Sequence, residues 1–499
     1  LPVVLNGCIM PGDRDVVRIH LRKGTTFVCR FQGRAITPYL ADAVPGWVQA
    51  CLALFDSSGR ECAYADDFYF DPDPVLFYPV PQSGEYFLEI KDALYRGRED
   101  FVYRLSLGSL PFVKASFPLG GKLGEKVSVE VQGVNLCRNR IEAVPGSSGG
   151  VKELRLHCAD LTSNAFPFEW GTLPEKLEEE PNDSFDSAMV LSPPVIVNGR
   201  IQESGDSDYF AFRLEAGAKV FIEVKARRLL SPLDSVITIF DPRGRRVGEN
   251  DDWVDRAAGL ITHHADSYLS YQARVSGRYV VRIKDIQGKG GPVYRYRLRI
   301  SEALPDFKII ISPDNVVLPQ KDTACLNVVA VRYDDFLQPI RLFVEGLPKG
   351  CKACGLYLGP SQEQGFLTIS ASEDTPLGIF SPRVFAVAEA EGRTIRREAI
   401  AAEDKMQAFI YHHLVPTDQI YVSVQKPVEA FLCWISPSEG RLLIPAGGKA
   451  VAKVKLQRSS EIKGVLRLKA LGVPKGIAAR VGPIPASRNE AEVVLTAQA

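Results

Sequence analysis

An internal repeat constrains the fold of this 499-residue chain more than any other feature. A Gly-Asp-X-Asp motif at Gly12–Asp15 recurs 193 positions later at Gly205–Asp208, and Ser83–Tyr86 recurs at the same offset as Ser276–Tyr279. In the middle of the copies the offset falls to 185, so the first copy carries a longer loop around Ala35–Gly46. This pattern predicts two copies of one domain, separated by a different segment.

The repeated segments are typical of β-strands. Runs such as Phe221–Lys225 and Val236–Phe240 are rich in β-branched and aromatic residues and are followed by turns such as Asp241–Gly244. The 41 Gly and 34 Pro supply further turns, and long helical periodicities are scarce. The sequence therefore predicts an all-β, multi-domain string of antiparallel β-sandwiches, of jelly-roll and immunoglobulin-like type.

The length requires several hydrophobic cores, because a single core stops growing beyond roughly 250–300 residues. A second, shorter similarity between Val344–Gly350 and Ala470–Gly476 suggests that the C-terminal part is also duplicated. We expect five domains: a sandwich at 1–110, a small immunoglobulin-like module at 111–173, a second copy of the sandwich at 174–303, and immunoglobulin-like sandwiches at 304–405 and 406–499. The polar stretch Gly171–Glu180 is interpreted as the exit linker of the module.

The second large copy carries a specific succession of motifs. Glu178–Asp183 (EEEPND) precedes Gly205–Phe210 (GDSDYF), Ile239–Asp241, Gly277–Tyr279 and Tyr294–Leu298 in that order. This succession resembles the pre-peptidase C-terminal domain family, strongly over 174–303 and more weakly over 1–110. The resemblance implies a non-catalytic β-sandwich that accompanies secreted bacterial proteins and often binds calcium through its N-terminal linker.

The residues themselves also favour calcium. Ca²⁺ prefers six to eight oxygen ligands from carboxylates, amides and backbone carbonyls. In an extended segment alternate residues share a face, so Glu178, Glu180 and Asn182 could converge. Two further carboxylates come from the Gly-Asp-X-Asp loop if the sandwich brings it alongside. The predicted ligands are therefore Glu178, Glu180, Asn182, Asp183, Asp206 and Asp208. The alternative is a solvated acidic linker without a metal ion.

Other acidic groups are weaker candidates. The first copy keeps Asp13 and Asp15 but lacks the acidic segment in front of them, so the pattern favours metal binding in the second copy. Asn250–Asp252 is typical of a turn whose side chains bond to their own backbone. The adjacent histidines His263-His264 and His412-His413 point to opposite faces if they lie on strands, which disfavours a shared metal.

The ten cysteines allow several pairings and also allow free thiols. Cys137 and Cys158 bracket one short predicted β domain and are one disulfide candidate. Cys8 and Cys29, on strands predicted to be neighbours, are a second. For the CxxC at Cys351–Cys354, a disulfide to Cys325 or free thiols are favoured over zinc, because a second ligand pair is missing.

For function, two hypotheses remain. The first is a non-catalytic secreted, periplasmic or cell-surface protein that binds extracellular polysaccharide or a matrix or envelope protein; the second is the accessory region of a larger secreted peptidase or other hydrolase. Sixty basic and sixty acidic residues argue against a nucleic-acid partner, and no apolar run reaches the roughly 20 residues of a membrane span. We expect that any export signal lies outside the printed sequence. Trp253, Tyr268 and Tyr271 are predicted to pack in a core or interface rather than to bind a ligand.

Overall fold

The computed structural model divides the chain into two compact units: Leu1–Leu304 with Lys405–Val415, and Pro305–Asp404 with Pro416–Ala499. Within these units the structure describes residues 1–40, 46–261, 263–390, 392–407, 411–427, 431–436, 442–458, 464–468, 470, 473–474 and 476–498. The described residues are all-β with a single short 3₁₀ turn at Arg227–Leu229, which confirms the predicted fold class. None of the described helical segments is long and apolar enough to cross a membrane.

The first domain is a sandwich of two four-stranded sheets. Its strands are β1 (Val3–Cys8), β2 (Asp15–Leu21), β3 (Thr26–Gln32), β4 (Ala50–Asp56), β5 (Glu61–Ala65), β6 (Val75–Pro79), β7 (Gly84–Asp92) and β8 (Val102–Gly108). They form sheets in the order β1-β8-β3-β6 and β2-β7-β4-β5. The inward residues of both sheets, among them Phe27, Leu52, Leu88 and Leu105, make one buried core, as the alternation of side chains along half-buried strands requires.

A small two-sheet module follows. Its strands are β9 (Phe112–Phe117), β10 (Gly120–Lys122), β11 (Val127–Val134), β12 (Arg140–Ala143), β13 (Gly150–Leu154), β14 (His157–Cys158), β15 (Leu161–Thr162) and β16 (Phe166–Gly171). They form sheets in the order β12-β11-β9 and β10-β16-β13, with β14-β15 as a separate hairpin. Phe168 and Trp170 fill the core. Cys137 and Cys158 form a disulfide across this module, which confirms the first candidate pair.

The second copy of the sandwich contains β17 (Glu175–Leu177), β18 (Met189–Val190), β19 (Val195–Arg200), β20 (Ser207–Leu214), β21 (Lys219–Lys225), β22 (Ser235–Phe240), β23 (Arg246–Asn250), β24 (Tyr268–Gln272), β25 (Gly277–Asp285) and β26 (Arg295–Ser301). Its sheets run β17-β19-β26-β21-β24 and β18-β20-β25-β22-β23. Glu175–Leu177, which we interpreted as linker, is therefore an edge strand that pairs in parallel with β19.

The two copies match at the level of single hydrogen bonds. Tyr86 Oη donates to the carbonyl oxygen of Gln82 at 2.9 Å, and its counterpart Tyr279 donates to that of Val275 at 2.8 Å. The segment between β3 and β4 in the first copy, residues 33–49, is longer than its counterpart between β21 and β22 in the second copy, residues 226–234. The eight extra residues account for the change in repeat offset, although 41–45 lie outside the described residues.

A buried arginine joins the module to the second copy. The Arg297 side chain is only 2% exposed and makes two hydrogen bonds to Glu175, at 2.9 and 3.0 Å, and one to Glu169 of the module at 3.2 Å. Lys225 also binds Glu169, at 2.6 Å. Since these charges are removed from water together, each depends on its partners, and the junction is a fixed part of the structure.

The second unit begins with a three-sheet domain. Its strands are β27 (Asp306–Ser312), β28 (Asn315–Pro319), β29 (Thr323–Tyr333), β30 (Ile340–Glu345), β31 (Cys351–Cys354), β32 (Tyr357–Leu358), β33 (Gln364–Ala371), β34 (Gly378–Phe380), β35 (Arg383–Ala390), β36 (Arg393–Glu398), β37 (Ile400–Met406) and β39 (Tyr421–Gln425). The last two residues of β37 and all of β38 (His412–Pro416) except Pro416 belong to the first unit. One sheet contains β31-β33-β29-β27-β37, the others run β32-β30-β35-β36 and β28-β39-β34. β39, assigned above to the range 406–499, pairs with β28 and contributes Val422 and Val424 to this core.

The last domain has four strands, β40 (Phe431–Ser436), β41 (Lys449–Arg458), β42 (Ile477–Val481) and β43 (Glu490–Ala497), in the order β40-β41-β43-β42. Val454, Leu456 and Ile484 form its buried cluster. The similarity to Val344–Gly350 that suggested a duplication falls on Ala470–Gly476, of which 471, 472 and 475 lie outside the described residues. The division into five domains thus stays a prediction.

The other candidate disulfides are not formed, and the alternative of free thiols holds for them. Cys8 and Cys29 are free, because β8 lies between their strands: Cys8 is opposite Val102 and Cys29 is opposite Leu107. Cys325, Cys351 and Cys354 are free as well, the alternative that the sequence left open. Cys325 and Cys354 lie on opposite sides of β33, each opposite Thr368, and are thus two strand spacings of roughly 4.8 Å apart.

Candidate metal centre

The polar segment before the second sandwich is held along that domain at both ends. β17 pairs with β19, and the backbone N–H of Glu178 continues this pairing by donating to the carbonyl oxygen of Asn198 at 3.0 Å. Four residues later, the carbonyl oxygen of Asn182 accepts the N–H of Tyr209 at 2.9 Å. The segment between these anchors therefore lies against the start of β20, where the Gly-Asp-X-Asp loop ends.

Glu178, Glu180 and Asn182 converge, as the alternation of an extended segment predicts. Asn182 Nδ2 donates to Glu178 Oε1 at 3.2 Å, and the Asn182 backbone N–H donates to Glu180 Oε2 at 2.9 Å. Glu178 Oε2 accepts the backbone N–H of Arg200 at 2.7 Å. Asn182 is completely buried, Glu178 is half-buried and Glu180 is exposed, so the group extends from the interior to the surface.

The buried end of the group is a carboxylate and a phenol on facing strands. On β20, Asp208 shares its inward face with Phe210 and Phe212, and on β26, Tyr296 shares its inward face with Leu298 and Ile300. Tyr296 Oη donates to Asp208 Oδ2 at 2.6 Å and also lies 3.3 Å from Glu178 Oε1. The strand pattern alone therefore forces an acidic side chain into the sandwich core.

Two oxygen atoms in this group have no hydrogen-bond partner among the described residues. They are Asp208 Oδ1 and Asn182 Oδ1, both on completely buried side chains. One carboxylate oxygen from each of Glu178, Glu180 and Asp208 lies within 4.8 Å of the other two. Buried acceptors without donors are costly unless a cation or a donor satisfies them, so these atoms fit the oxygen shell of a hard cation.

Without a cation the ionised form of these carboxylates is disfavoured. Burial, followed by the charge of Glu178, holds the pKa of Asp208 well above its ordinary value. Burial also raises the pKa of Glu178 and, with the neighbouring charges of Glu178, Asp183 and Asp206, that of Glu180. A divalent cation would reverse this, because it favours the ionised form of every carboxylate around it.

The remaining two predicted ligands lie at the rim. Asp183 is exposed, and Asp206 is half-buried with both carboxylate oxygens engaged, accepting the backbone N–H groups of Gln202 and Ser207 at 2.6 Å each. Their charges reach Glu180, whose pKa they raise. The structure thus brings Glu178, Glu180, Asn182 and Asp208 into direct proximity and places Asp183 and Asp206 beside them.

The first copy has the same phenol and carboxylate without the converging acids. Tyr103 Oη donates to Asp15 Oδ2 at 2.5 Å, the counterpart of Tyr296 and Asp208. Among the described residues, no group of three acidic or histidine side chains surrounds Asp15. The Tyr–Asp pair is therefore part of the repeated fold, and the acidic segment is what distinguishes the second copy.

A second acidic group lies elsewhere in the second copy. One donor atom from each of Asp234, Asp252 and His263 lies within 4.8 Å of the others, and His263 Nε2 is 3.1 Å from Asp234 Oδ2. Next to it, Asn250 Nδ2 donates to the carbonyl oxygen of Asp252 and Asp251 accepts the N–H of Asp252, as turn residues do. Asn250 Oδ1 also accepts the N–H of Tyr268 on β24. These contacts describe a hydrogen-bonded turn and a histidine–aspartate contact.

The aromatic residues of this region pack against each other. Trp253 and Tyr268 are half-buried with ring centroids 5.0 Å apart, and Tyr271 lies 5.8 Å from the buried Tyr279. These rings therefore pack as we expected.

Tyr296 is the member of the centre that the sequence analysis did not single out. A signal for it exists, because Tyr103-Arg-Leu105 and Tyr296-Arg-Leu298 repeat at the same 193-residue offset as the two Gly-Asp-X-Asp loops. A tyrosine and an aspartate that repeat at the same offset are expected to lie in contact. The tyrosine is hydrogen-bonded to the aspartate in both copies, as Tyr103–Asp15 and as Tyr296–Asp208.

Comparisons with known proteins leave the family open. No family model matches the chain, and no curated protein matches it. Among solved structures it is similar to one titled "Structure of surface layer protein SbsC, domains 4-9", with 11% sequence identity, a TM-score of 0.21 and coverage of 52% of this chain. The match covers 40% of that structure's chain, so this protein spans less than half of it.

Proposed function

We propose that the protein is a non-catalytic structural or binding protein of the cell exterior, in which calcium ties the acidic segment 178–183 to the second sandwich copy. The observation that carries this proposal is a pair of buried oxygens, Asp208 Oδ1 and Asn182 Oδ1, that have no hydrogen-bond partner among the described residues and lie beside the carboxylates of Glu178 and Glu180. In this role the sandwiches present surfaces to polysaccharide or to matrix or envelope proteins. The resemblance to the pre-peptidase C-terminal family agrees with this proposal.

The chemistry of the donors supports calcium over softer metals. Every candidate ligand atom is a carboxylate or amide oxygen, and such hard oxygen sites suit Ca²⁺ and Mg²⁺, whereas zinc and copper favour nitrogen and sulfur. The donors come from the segment 178–182 and from Asp208 on β20, at irregular positions along the chain. Such an irregular set suits the flexible geometry of Ca²⁺ better than the strict octahedron of Mg²⁺. Glu178, Glu180, Asn182 and Asp208 would hold the ion, with Asp183 and Asp206 at the open side.

The consequence of binding is mechanical. The segment leading from the module into the second copy carries both Glu175, bound to the buried Arg297, and the proposed ligands that follow it. A bound cation would fasten this segment to β20 and complete a rigid connection between the module and the sandwich. Ligands that bind only the folded state stabilise it, by about 2.7 kcal/mol at 100 times the dissociation constant.

The test is calcium binding by the full chain, measured by calorimetry and by tyrosine-sensitised Tb³⁺ luminescence that calcium displaces. We expect one site that prefers Ca²⁺ over Mg²⁺, weakened at least about tenfold by Asp208→Asn, since a buried charge contact contributes roughly 1.5–3 kcal/mol. Asp15→Asn is the matched control in the first copy and should leave binding unchanged. Glu180→Gln, at the exposed side, serves as a second variant if Asp208→Asn folds poorly. Unchanged affinity in both variants, or no binding at millimolar calcium, overturns the proposal.

A further inference from the structure

Three candidate metal ligands meet in the second copy, where the connection between β23 and β24 reaches the start of β22. Asp234 directly precedes β22, Asp252 lies just after β23, and His263 lies further along the same connection. His263 Nε2 is 3.1 Å from Asp234 Oδ2, and one carboxylate oxygen of Asp252 lies within 4.8 Å of a donor atom of each. These three side chains, here called the loop cluster, share no residue with the proposed calcium centre.

The loop cluster carries two carboxylates without a basic partner. In the described part of the chain, no lysine or arginine forms an ion pair with Asp234 or Asp252. The neighbouring acids differ in this respect, because Asp266 and Asp255 both face Arg228, at 2.7 and 3.9 Å. Two carboxylates held close together repel each other unless a cation lies between them, so the loop cluster suits a divalent cation.

The Asp234 carboxylate is held in place but only partly satisfied. The residue is 8% exposed, and its backbone N–H donates to Asp285 Oδ2 at 3.1 Å. Its Oδ2 faces His263, whereas its Oδ1 has no hydrogen-bond donor among the residues that the structure describes. A largely buried acceptor without a donor is costly, and a metal ion bound to this carboxylate would remove that cost.

The first copy of the sandwich lacks this combination of ligands. The strands around the cluster align with those of the first copy: β22 and β23 begin 185 residues after β4 and β5, and β24 begins 193 residues after β6. At these offsets Asp234, Asp252 and His263 correspond to Gln49, Asp67 and Phe70. Gln49 also makes the backbone hydrogen bond of its counterpart, to Asp92 at 2.8 Å. The sandwich therefore forms without the second carboxylate and the imidazole, so its folding does not require them.

We propose that the loop cluster binds a zinc ion through Asp234, Asp252 and His263. Zinc accepts imidazole nitrogen and carboxylate oxygen at about 2.0–2.2 Å, and the 3.1 Å between His263 Nε2 and Asp234 Oδ2 suits two neighbouring ligands of one ion. The imidazole favours a transition metal over calcium, which takes oxygen ligands. The ion would tie the connection between β23 and β24 to the start of β22. This inference goes beyond the proposed function and does not depend on it.

The experiment titrates the full, metal-free chain with zinc chloride and follows binding by calorimetry. We expect one zinc site that His263→Ala and Asp252→Asn each weaken at least about tenfold, because even residues that only orient a metal ligand change the affinity by about 10–100-fold. Asp252 is exposed, so its variant tests the site without a change in the core. Asp67→Asn is the matched control in the first copy and should leave the zinc affinity unchanged.

Free cysteines are the alternative zinc ligands, and the experiment separates them from the loop cluster. Cys351 and Cys354 lie on one strand of the second unit. The double variant Cys351→Ser, Cys354→Ser should keep the zinc affinity, and bound Co²⁺ should lack the intense thiolate charge-transfer band in the near ultraviolet. That band, or a loss of affinity in the cysteine variant with none in His263→Ala, would overturn the site.

Two further outcomes bear on the zinc site. No zinc binding at about 1 mM, which corresponds to a binding free energy of only about 4 kcal/mol, would also overturn it. Asp208→Asn should retain zinc binding, and Asp252→Asn should retain calcium binding, so the zinc and calcium proposals fail independently.

Discussion

Tyr296 Oη donates a 2.6 Å hydrogen bond to Asp208 Oδ2, and among the described residues this leaves Asp208 Oδ1 buried without a partner. The same phenol lies 3.3 Å from Glu178 Oε1, so one hydroxyl contacts two carboxylates. It can satisfy only one of them at a time, because it has a single hydrogen to donate. A proton between Asp208 and Glu178, whose pKa values are both raised, can satisfy part of the rest, and a bound cation would satisfy the oxygens when the carboxylates are ionised.

We predict that the calcium-free protein becomes more stable as the pH falls from 8 to 5. Asp208, Glu178 and Glu180 have pKa values raised in the folded state by burial. A raised folded pKa contributes stability that is present at low pH and is lost as the pH rises through it. The size of the gain reports how far these pKa values are raised, because one pKa unit corresponds to about 1.4 kcal/mol. Hydrogen exchange of the β20 and β26 amides in metal-free buffer measures this stability at each pH.

Two controls accompany this prediction. The pH range stays above 5 because salt-bridged carboxylates such as Glu223, whose pKa is lowered to about 2, stabilise the fold only above their unfolded pKa of about 4.3. Asp208→Asn should flatten the pH dependence, and saturating calcium should reverse it because metal ligands must be deprotonated. Greater stability at pH 8 than at pH 5 in metal-free buffer would contradict the prediction.

Gly199→Ala should destabilise the second copy and weaken calcium binding together. A Cβ at this position would lie 2.2 Å from Tyr296 Oη and 2.3 Å from its Cζ, so the ring must move away from Asp208. Overpacking of this kind costs about 1–3 kcal/mol. Differential scanning calorimetry and Tb³⁺ titration give the two readouts.

The first copy provides the comparison for Gly199→Ala. Gly7→Ala creates the same clash with Tyr103 Oη, at 2.4 Å, and should lower stability without affecting calcium. Gly84→Ala meets no atom within 4 Å and should change neither. Loss of calcium affinity in Gly7→Ala would indicate that the metal binds to the first copy, which contradicts the proposed site in the second copy.

Arg297→Met should destabilise the junction between the module and the second copy by about 3–5 kcal/mol, because Glu175 would lose its charged partner and Glu169 would keep only Lys225. The double variant Arg297→Met, Glu175→Gln should recover part of this loss. Urea denaturation gives the free energy of unfolding, and protease cleavage near Gly171 reports local opening. A single variant as stable as the wild type would show that the buried ion pair is dispensable.

Removal of the Cys137–Cys158 disulfide should cost the module about 3 kcal/mol, the amount expected for a loop of 21 residues. Thermal unfolding of the Cys137→Ala, Cys158→Ala double variant measures the loss. Cys62→Ser changes a free, half-buried cysteine and should have a much smaller effect. Equal melting temperatures of the wild type and the double variant would count against a stabilising role.

Much of the centre could be predicted from the sequence because it depends on local rules. Strand alternation brings Glu178, Glu180 and Asn182 together, and the repeat offset links the Tyr103–Asp15 and Tyr296–Asp208 pairs. The strand-rich composition and the turns predicted the all-β class, which the structure confirms.

The tertiary structure alone decided which distant residues meet. Cys8 and Cys29 lie on strands close in sequence, yet β8, which arrives about 70 residues later in the chain, inserts between them. In the same way, Glu175 is part of a strand because it pairs with the edge of β19, and Arg297 contacts Glu169 because the module packs against the second copy. Alternation and turns act over a few residues, whereas sheet order and domain packing depend on the burial of whole surfaces, which no short segment of the sequence encodes.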